Sequence, residues 1–316
     1  MLSFGFIGDG GQAQKIKGII NRKIQDANFI LYDRYHSLQS WLEIMDTNAV
    51  FIVSPNNTHY NYLKKLNNCK YDGYIYCEKP GINNFNNLSL FKYLNHSRVF
   101  FGFNLRYSDI PSVLKEISHR HDLGPRVKLD VNVSYPFVLQ NHYTKSWKSS
   151  SDNCPIGVLE NLGIHYLDFA IETQGVPVST SSHLRILDQN SSTYDWVQIN
   201  MVFDDASVAT LCCSYAIAYR NEVRFTFMNG EILIDDQGVT LIFPRKSFDT
   251  NGYSIRPPSH GIDSRNFNDF FGESLVSCIH FFLSYVKRGI DLPTRDFQKS
   301  SFSIQTMLNS FKIESL

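Results

Sequence analysis

Asn161, His165 and Asp168 are spaced four and three residues apart, so a helix carrying them sets all three along one face. Of the three, His165 titrates nearest neutrality and is the natural acceptor of a hydroxyl proton. Asn161 cannot act as a base, but its amide can donate to or accept from a substrate hydroxyl. Lys79, within Cys77-Glu78-Lys79-Pro80, is the complementary group. Charged, it would hydrogen-bond a reacting hydroxyl and favour the developing alkoxide; with its pKa lowered by desolvation, it would be the immediate base instead. Sequence leaves that division of labour open. Oxidising an alcohol also needs a hydride acceptor, and Gly8-Asp9-Gly10-Gly11-Gln12-Ala13 fits the dinucleotide pattern G-x-G-x-x-G/A. Gly8 permits a tight turn and Gly10 lets backbone approach a diphosphate. Ala13 keeps the following helix close to the sheet, while exposed amides and the helix dipole face the anion. Asp33 lies 25 residues after Gly8, where a carboxylate accepts from the adenosine ribose diol. It favours NAD, although Arg34 beside it would pair with a ribose phosphate.

These groups need elements to position them. Short continuous apolar runs at 2–7, 29–32, 49–53, 74–76 and 99–103 alternate with segments of helical length at 12–25, 38–45, 58–68 and 85–95. That pattern predicts a parallel sheet covered on both faces, with its ligand crevice at the carboxyl ends of the strands. After a helical segment at 109–121, Gly124-Pro125 marks a break. Strand-like runs then follow at 126–135, 196–203, 207–215, 222–228 and 231–235. Asp204-Asp205 and Asn229-Gly230 fall at expected hairpin turns. A helix at 157–173 interrupts this second sheet, and helices near 267–287 and 297–313 close the chain. The expected fold class is an α/β N-terminal Rossmann domain (residues 1–107) plus an α+β C-terminal domain (residues 108–316) with an open, mainly antiparallel sheet. The final helix is expected to pack back on the first domain.

Composition narrows the partners. The 316 residues (36.4 kDa) carry 30 Lys plus Arg against 30 Asp plus Glu, which argues against a general polyanion binder, so no nucleic-acid partner is expected. With 24 Phe and 17 Tyr, the cores are expected to be built from rings as much as from aliphatics. Six cysteines form no CxxC pair and no zinc spacing, so reduced thiols, no metal site and a cytoplasmic location are expected. The apolar start is cut short at Gly8, and no stretch reaches the length of a membrane span.

Four segments together carry a specific resemblance. Ser54-Pro55-Asn56-Asn57-Thr58-His59 follows the third run, Cys77-Glu78-Lys79-Pro80 the fourth, and Asn104-Leu105-Arg106-Tyr107 the fifth; the helix from Gly157 to Asp168 comes later. In this order the chain resembles the glucose-fructose oxidoreductase / inositol dehydrogenase / rhizopine catabolism (Gfo/Idh/MocA) family. The resemblance implies an NAD(P)-binding domain, a sheet domain whose broad face forms subunit contacts, and substrate held in the cleft between the two. It also implies that Lys79 points into the active site, that Pro80 follows a cis bond and that His165 is the catalytic histidine. Cofactor contacts are expected from Gly8, Gly10, Gly11, Gln12, Ala13, Asp33 and Arg34. Further contacts are expected from Ser54, Asn56, His59, Glu78, Lys79 and Arg106. Arg106 has a second expected reading, as a strand-end salt bridge. Asp168 is expected to be structural, holding Lys79 or a nearby backbone group.

A narrower resemblance lies in Asn141-His142-Tyr143-Thr144-Lys145-Ser146-Trp147-Lys148 with Asn161. It is similar to the branch that oxidises C3 of UDP-N-acetylglucosaminuronate in bacterial surface-polysaccharide (O-antigen) synthesis, although His142 replaces a Trp of that branch. Family members acting on inositol or simple sugars usually carry Asp at the place of Asn161. Tyr143, Trp147 and Lys148 would form an aromatic and cationic platform for the UDP-sugar, with Lys79, Arg106, Asn161 and His165 completing the substrate site. The implied reaction moves hydride from the sugar C3 to NAD while His165 takes the hydroxyl proton, directly or through Lys79. Neutral UDP-N-acetylglucosamine or another sugar is the alternative substrate, and a dinucleotide-responsive regulatory protein is the non-enzymatic alternative. A homodimer or homotetramer is expected.

Overall fold

The computed structural model describes residues 1–32, 38–243 and 247–314. In chain order the strands are β1 (Ser3–Ile7), β2 (Asn28–Tyr32), β3 (Ala49–Ile52), β4 (Tyr74–Cys77), β5 (Val99–Phe101), β6 (Arg126–Ser134), β7 (Ser179–Arg185), β8 (Trp196–Val202), β9 (Val208–Ser214), β10 (Arg220–Phe227), β11 (Gly230–Asp235), β12 (Gly238–Ile242) and β13 (Ser259–Asp263). The helices are α1 (Gly11–Lys23), α2 (Leu38–Met45), α3 (His59–Asn68), α4 (Ile110–His121), α5 (Asn141–Thr144), α6 (Ile164–Gln174), α7 (Phe267–Gly272), α8 (Ser274–Arg288) and α9 (Thr294–Glu314). The segment expected as a helix near 85–95 forms a 3-10 stretch, Phe85–Lys92.

Two units divide the chain. The first comprises Met1–Asn104, Asp152–Cys154 and Leu275–Leu308; the second comprises Leu105–Ser151, Pro155–Ser274 and Asn309–Leu316.

The first unit is built on a five-stranded parallel sheet in the order β2-β1-β3-β4-β5. Its central strands are buried along their length, which is why they read as continuous apolar runs. Rings fill the layer beneath them. Phe6 and Phe51 stack with centroids 4.9 Å apart, and Phe282 of α8 meets Phe51 edge-on at 5.5 Å and Tyr76 at 5.6 Å. This ring packing draws α8 into the first unit although it lies some two hundred residues downstream. The strand order reverses between β1 and β3, so their carboxyl ends open the crevice where such sheets take ligands.

The second unit holds an eight-stranded sheet in the order β13-β12-β11-β10-β6-β9-β8-β7, antiparallel throughout except for the parallel pair β6 and β9. Alternate residues bury one face, with Leu129, Val131 and Val133 of β6 beside Val223 and Phe225 of β10. Phe225 meets Phe169 of α6 at 6.2 Å. The opposite face is polar and carries the pairs Lys128–Asp130, Arg224–Glu222 and Arg224–Glu231. Among the described residues no helix is long and apolar enough to cross a membrane.

Candidate active site

The glycine turn closes the end of β1. Gly8 has φ +102, and a Cβ there would lie 2.9 Å from the Ser54 amide nitrogen, so a side chain would be both strained and obstructed. Its own amide donates to the Tyr32 carbonyl at 3.1 Å, tying the turn to the end of β2. Asp33 and Arg34, the expected ribose contacts, lie outside the described residues. Gly10 is the extended N-cap of α1 and brings no side-chain cap. A Cβ on Gly10 or Gly11 would meet nothing within 4 Å, and the first turn of α1 has no acidic residue. Helix amides with open space before them and no capping side chain suit the diphosphate of a dinucleotide. Behind them Ala13 is fully buried, as close packing of helix on sheet requires. Asp9 Oδ1 accepts from Gln14 Nε2 at 2.6 Å and from Lys17 Nζ at 2.7 Å.

The Glu-Lys-Pro turn follows β4 in the same unit. Gln12 Nε2 donates to Glu78 Oε1 at 2.9 Å, and the Tyr76 hydroxyl donates to the same oxygen at 3.3 Å. Burial pushes the Glu78 carboxyl above its usual acidity range, opposed by Gln12 and by the positive charge of Lys79. Lys79 is half-buried and precedes Pro80 through a cis peptide bond. His59 is fully buried, and its Nε2 donates to the Ser54 carbonyl at 2.7 Å. Burial, reinforced by Lys79, lowers its pKa to about 4, so the ring is neutral at physiological pH. It therefore braces the loop after β3 from beneath, with no ring surface exposed to a ligand. Ser54 Oγ is bonded to Thr58 Oγ1 at 2.6 Å, and Asn56 is 7% exposed.

In the second unit, Gly157 takes φ +59 where a Cβ would stand 1.9 Å from the Tyr194 carbonyl oxygen. A π-helical turn over Leu159–Gly163 then leads into α6. The uniform helical face expected for Asn161, His165 and Asp168 is thereby interrupted, because a π turn closes on five residues and shifts Asn161 relative to His165. Nothing in the local composition announced that turn. Asn161 is 7% exposed and its Nδ2 donates to the Gly157 carbonyl at 3.3 Å. His165 is half-buried, whereas the adjacent Glu160 is fully buried and accepts from the Ile156 amide at 3.1 Å. Asp168 takes both its oxygens to Arg106, with Nε at 2.7 Å and Nη2 on the other oxygen. The two side chains are 5% and 1% exposed. Arg106 thus takes the ion pair that was its second expected reading, with Asp168 as the partner.

Tyr143 is 3% exposed and packs edge-on against Tyr215 at 5.5 Å and near Phe137 at 6.4 Å, a core position in this unit. Trp147 and Lys148 are half-buried, with Lys148 Nζ 5.9 Å from the Trp147 ring centroid. Sequence reasoning gave no functional role to Tyr76, Asp9 or Lys17. The two-residue spacing from Tyr76 on β4 to Glu78 just beyond it was the available signal for the first, and the acid inside the glycine turn for the others.

Residues 113–232 match the model of the GFO/IDH/MocA C-terminal domain. The chain has the Gfo/Idh/MocA oxidoreductase fold. An oxidoreductase from Thermotoga maritima shares this fold with a TM-score of 0.78 at 14% identity, covering 98% of this chain and 95% of that one. An oxidoreductase from Agrobacterium radiobacter, solved with NAD+, L-tartaric acid and magnesium, gives 0.73 at 14% identity, covering 98% and 96%. Myo-inositol 2-dehydrogenase from Lactobacillus plantarum gives 0.72 at 19% identity, covering 99% and 98%. No curated protein sequence matches the chain.

Proposed function

We propose that this protein is an NAD-dependent dehydrogenase that oxidises the C3 hydroxyl of UDP-N-acetylglucosaminuronate to the 3-keto sugar. Its place would be the cytoplasm, in bacterial surface-polysaccharide synthesis. One observation carries the reading: the open glycine turn at the head of α1 is hydrogen-bonded through Gln12 and Glu78 to the turn that bears Lys79. An anion-binding turn and a cationic side chain suited to a hydroxyl are thus held by one scaffold. The Agrobacterium structure with NAD+ and the inositol dehydrogenase, both of this fold, support a nicotinamide cofactor and a polyhydroxylated substrate.

When bound, NAD+ supplies the hydride acceptor for the sugar carbon. Gly8, Gly10, Gly11, Gln12 and Ala13 would hold its diphosphate, and Asp33 its ribose. His165 accepts the hydroxyl proton, directly or through Lys79, and Lys79 hydrogen-bonds the oxygen on which negative charge develops. Asn161 orients a neighbouring hydroxyl through its amide. Trp147 and Lys148 bind the nucleotide-sugar, with Tyr143 supporting them from the core. Self-association as a dimer or tetramer would use the open face of the eight-stranded sheet.

Arg106 favours a second reading. As a receptor for the uronate carboxylate it would have to leave Asp168, and its guanidinium is buried on that partner. A neutral sugar, UDP-N-acetylglucosamine, needs no such receptor. Purified protein given NAD+ and each UDP-sugar, followed at 340 nm, separates the readings by the ratio of kcat/KM. Turnover of neither sugar by protein stripped of nucleotide and product would defeat both. Tight NAD+ binding without hydride transfer to any sugar would then favour a regulatory role.

A further inference from the structure

We infer that Asp9 lowers the affinity of the glycine turn for the dinucleotide diphosphate, with Lys17 as its built-in counter-ion, so that the cofactor exchanges with solution. This deepens the dinucleotide reading above and rests on it. Asp9 stands between Gly8 and Gly10, in the turn whose backbone must meet the diphosphate. It is the one acid within Gly8–Ala13, and a carboxylate there adds negative charge where the ligand brings its own.

The surroundings fix that charge in place. Lys17 Nζ at 2.7 Å and Gln14 Nε2 at 2.6 Å converge on the same oxygen, Oδ1. Lys17 is 18% exposed against 41% for Asp9, and its ammonium sits 5.1 Å from the Phe6 ring centroid. The stem is therefore laid along the protein and the cation is drawn back toward the turn. Two consequences share one sign. Asp9 repels the diphosphate, and it neutralises the cation on α1 that would otherwise attract it. Because NAD+ and NADH carry the same diphosphate, both are weakened alike, and release of the reduced cofactor is favoured as much as release of the oxidised one.

The test is fluorescence titration of nucleotide-stripped protein with NADH, with ADP-ribose and adenosine as competitors, for wild type, D9N, K17M and the double variant. Asp9→Asn keeps the shape and both hydrogen bonds but removes the charge. D9N should tighten NADH and ADP-ribose by about three- to tenfold at low salt, and the gain should shrink at high ionic strength. Adenosine, which lacks the diphosphate, should bind equally to both proteins. K17M should weaken NADH binding in the wild-type background. Circular dichroism melts of each variant confirm the fold. Unchanged or weaker NADH binding by D9N overturns the inference, as does a gain that extends to adenosine and survives high salt. Binding of NADH to neither protein removes the cofactor reading itself, and this inference with it.

Discussion

Gln12 donates its side-chain amide to Glu78 Oε1 across 2.9 Å, joining the first turn of α1 to the turn carrying Lys79. Glu78 is buried, and a buried carboxyl that loses a donor retains most of its desolvation cost. Gln12→Leu should therefore destabilise the protein by about 1–3 kcal/mol. NADH affinity should fall as well, because the two turns lose their common anchor. Thermal melts and NADH titration of the same variant measure both effects; wild-type values in each would make the bond incidental.

The two glycines of the turn should respond differently to alanine. At Gly8 the positive φ and the Ser54 amide 2.9 Å from a Cβ impose strain, so G8A should lower stability by about 1 kcal/mol or more. At Gly10 a Cβ meets no protein atom within 4 Å, so G10A should melt within about 1 kcal/mol of wild type. Its cost should fall on NADH affinity instead, because the methyl fills the space the diphosphate needs. Equal loss of stability in both variants would contradict the assignment of that space to a ligand.

Arg106 and Asp168 make a buried bidentate pair, and removing one partner strands the other charge. R106M or D168N alone should cost about 3–5 kcal/mol in denaturant unfolding, while R106M/D168L should cost less than the sum of the two single changes. If Arg106 served mainly as a carboxylate receptor, R106M would instead raise KM for the uronate with little loss of stability.

His59 gives a pH signature. Burial beside Lys79 lowers its pKa from 6.5 to about 4, so between those values the unfolded chain takes up a proton that the folded one refuses. Its contribution to stability is complete above pH 6.5 and declines as pH falls toward 4, reaching a loss on the order of 2 kcal/mol near pH 4.5. The stability gap between wild type and H59N should accordingly narrow from pH 7.5 to pH 4.5. A gap constant across that range would show that the ring titrates normally.

Much of this architecture was legible in the chain because its signals are local. Continuous apolar runs ended by Gly8, Ser54 and Glu78 fixed the parallel strands, and alternation fixed β6 and β8 to β11. Strands β7, β12 and β13 escaped notice: Ser179–Arg185 and Ser259–Asp263 are mostly polar in sequence, so the apolar alternation that reveals a half-buried strand is absent, and Gly238–Ile242 is a five-residue run that opens on a glycine. The Arg106–Asp168 pair links positions 62 residues apart, and no spacing rule reaches so far. His59 shows the same limit in reverse. Its type suggested a ligand contact, while its burial and its bond to Ser54 were set by packing that composition does not encode.

The most direct measurement is the initial rate of absorbance gain at 340 nm when nucleotide-stripped protein is mixed with NAD+ and UDP-N-acetylglucosaminuronate. Wild type should form NADH, and K79M and H165N should lose at least about 100-fold in kcat, with H165N still binding NADH as wild type does. Absence of NADH formation by the wild type, or an H165N protein that turns over at the wild-type rate, would contradict the account.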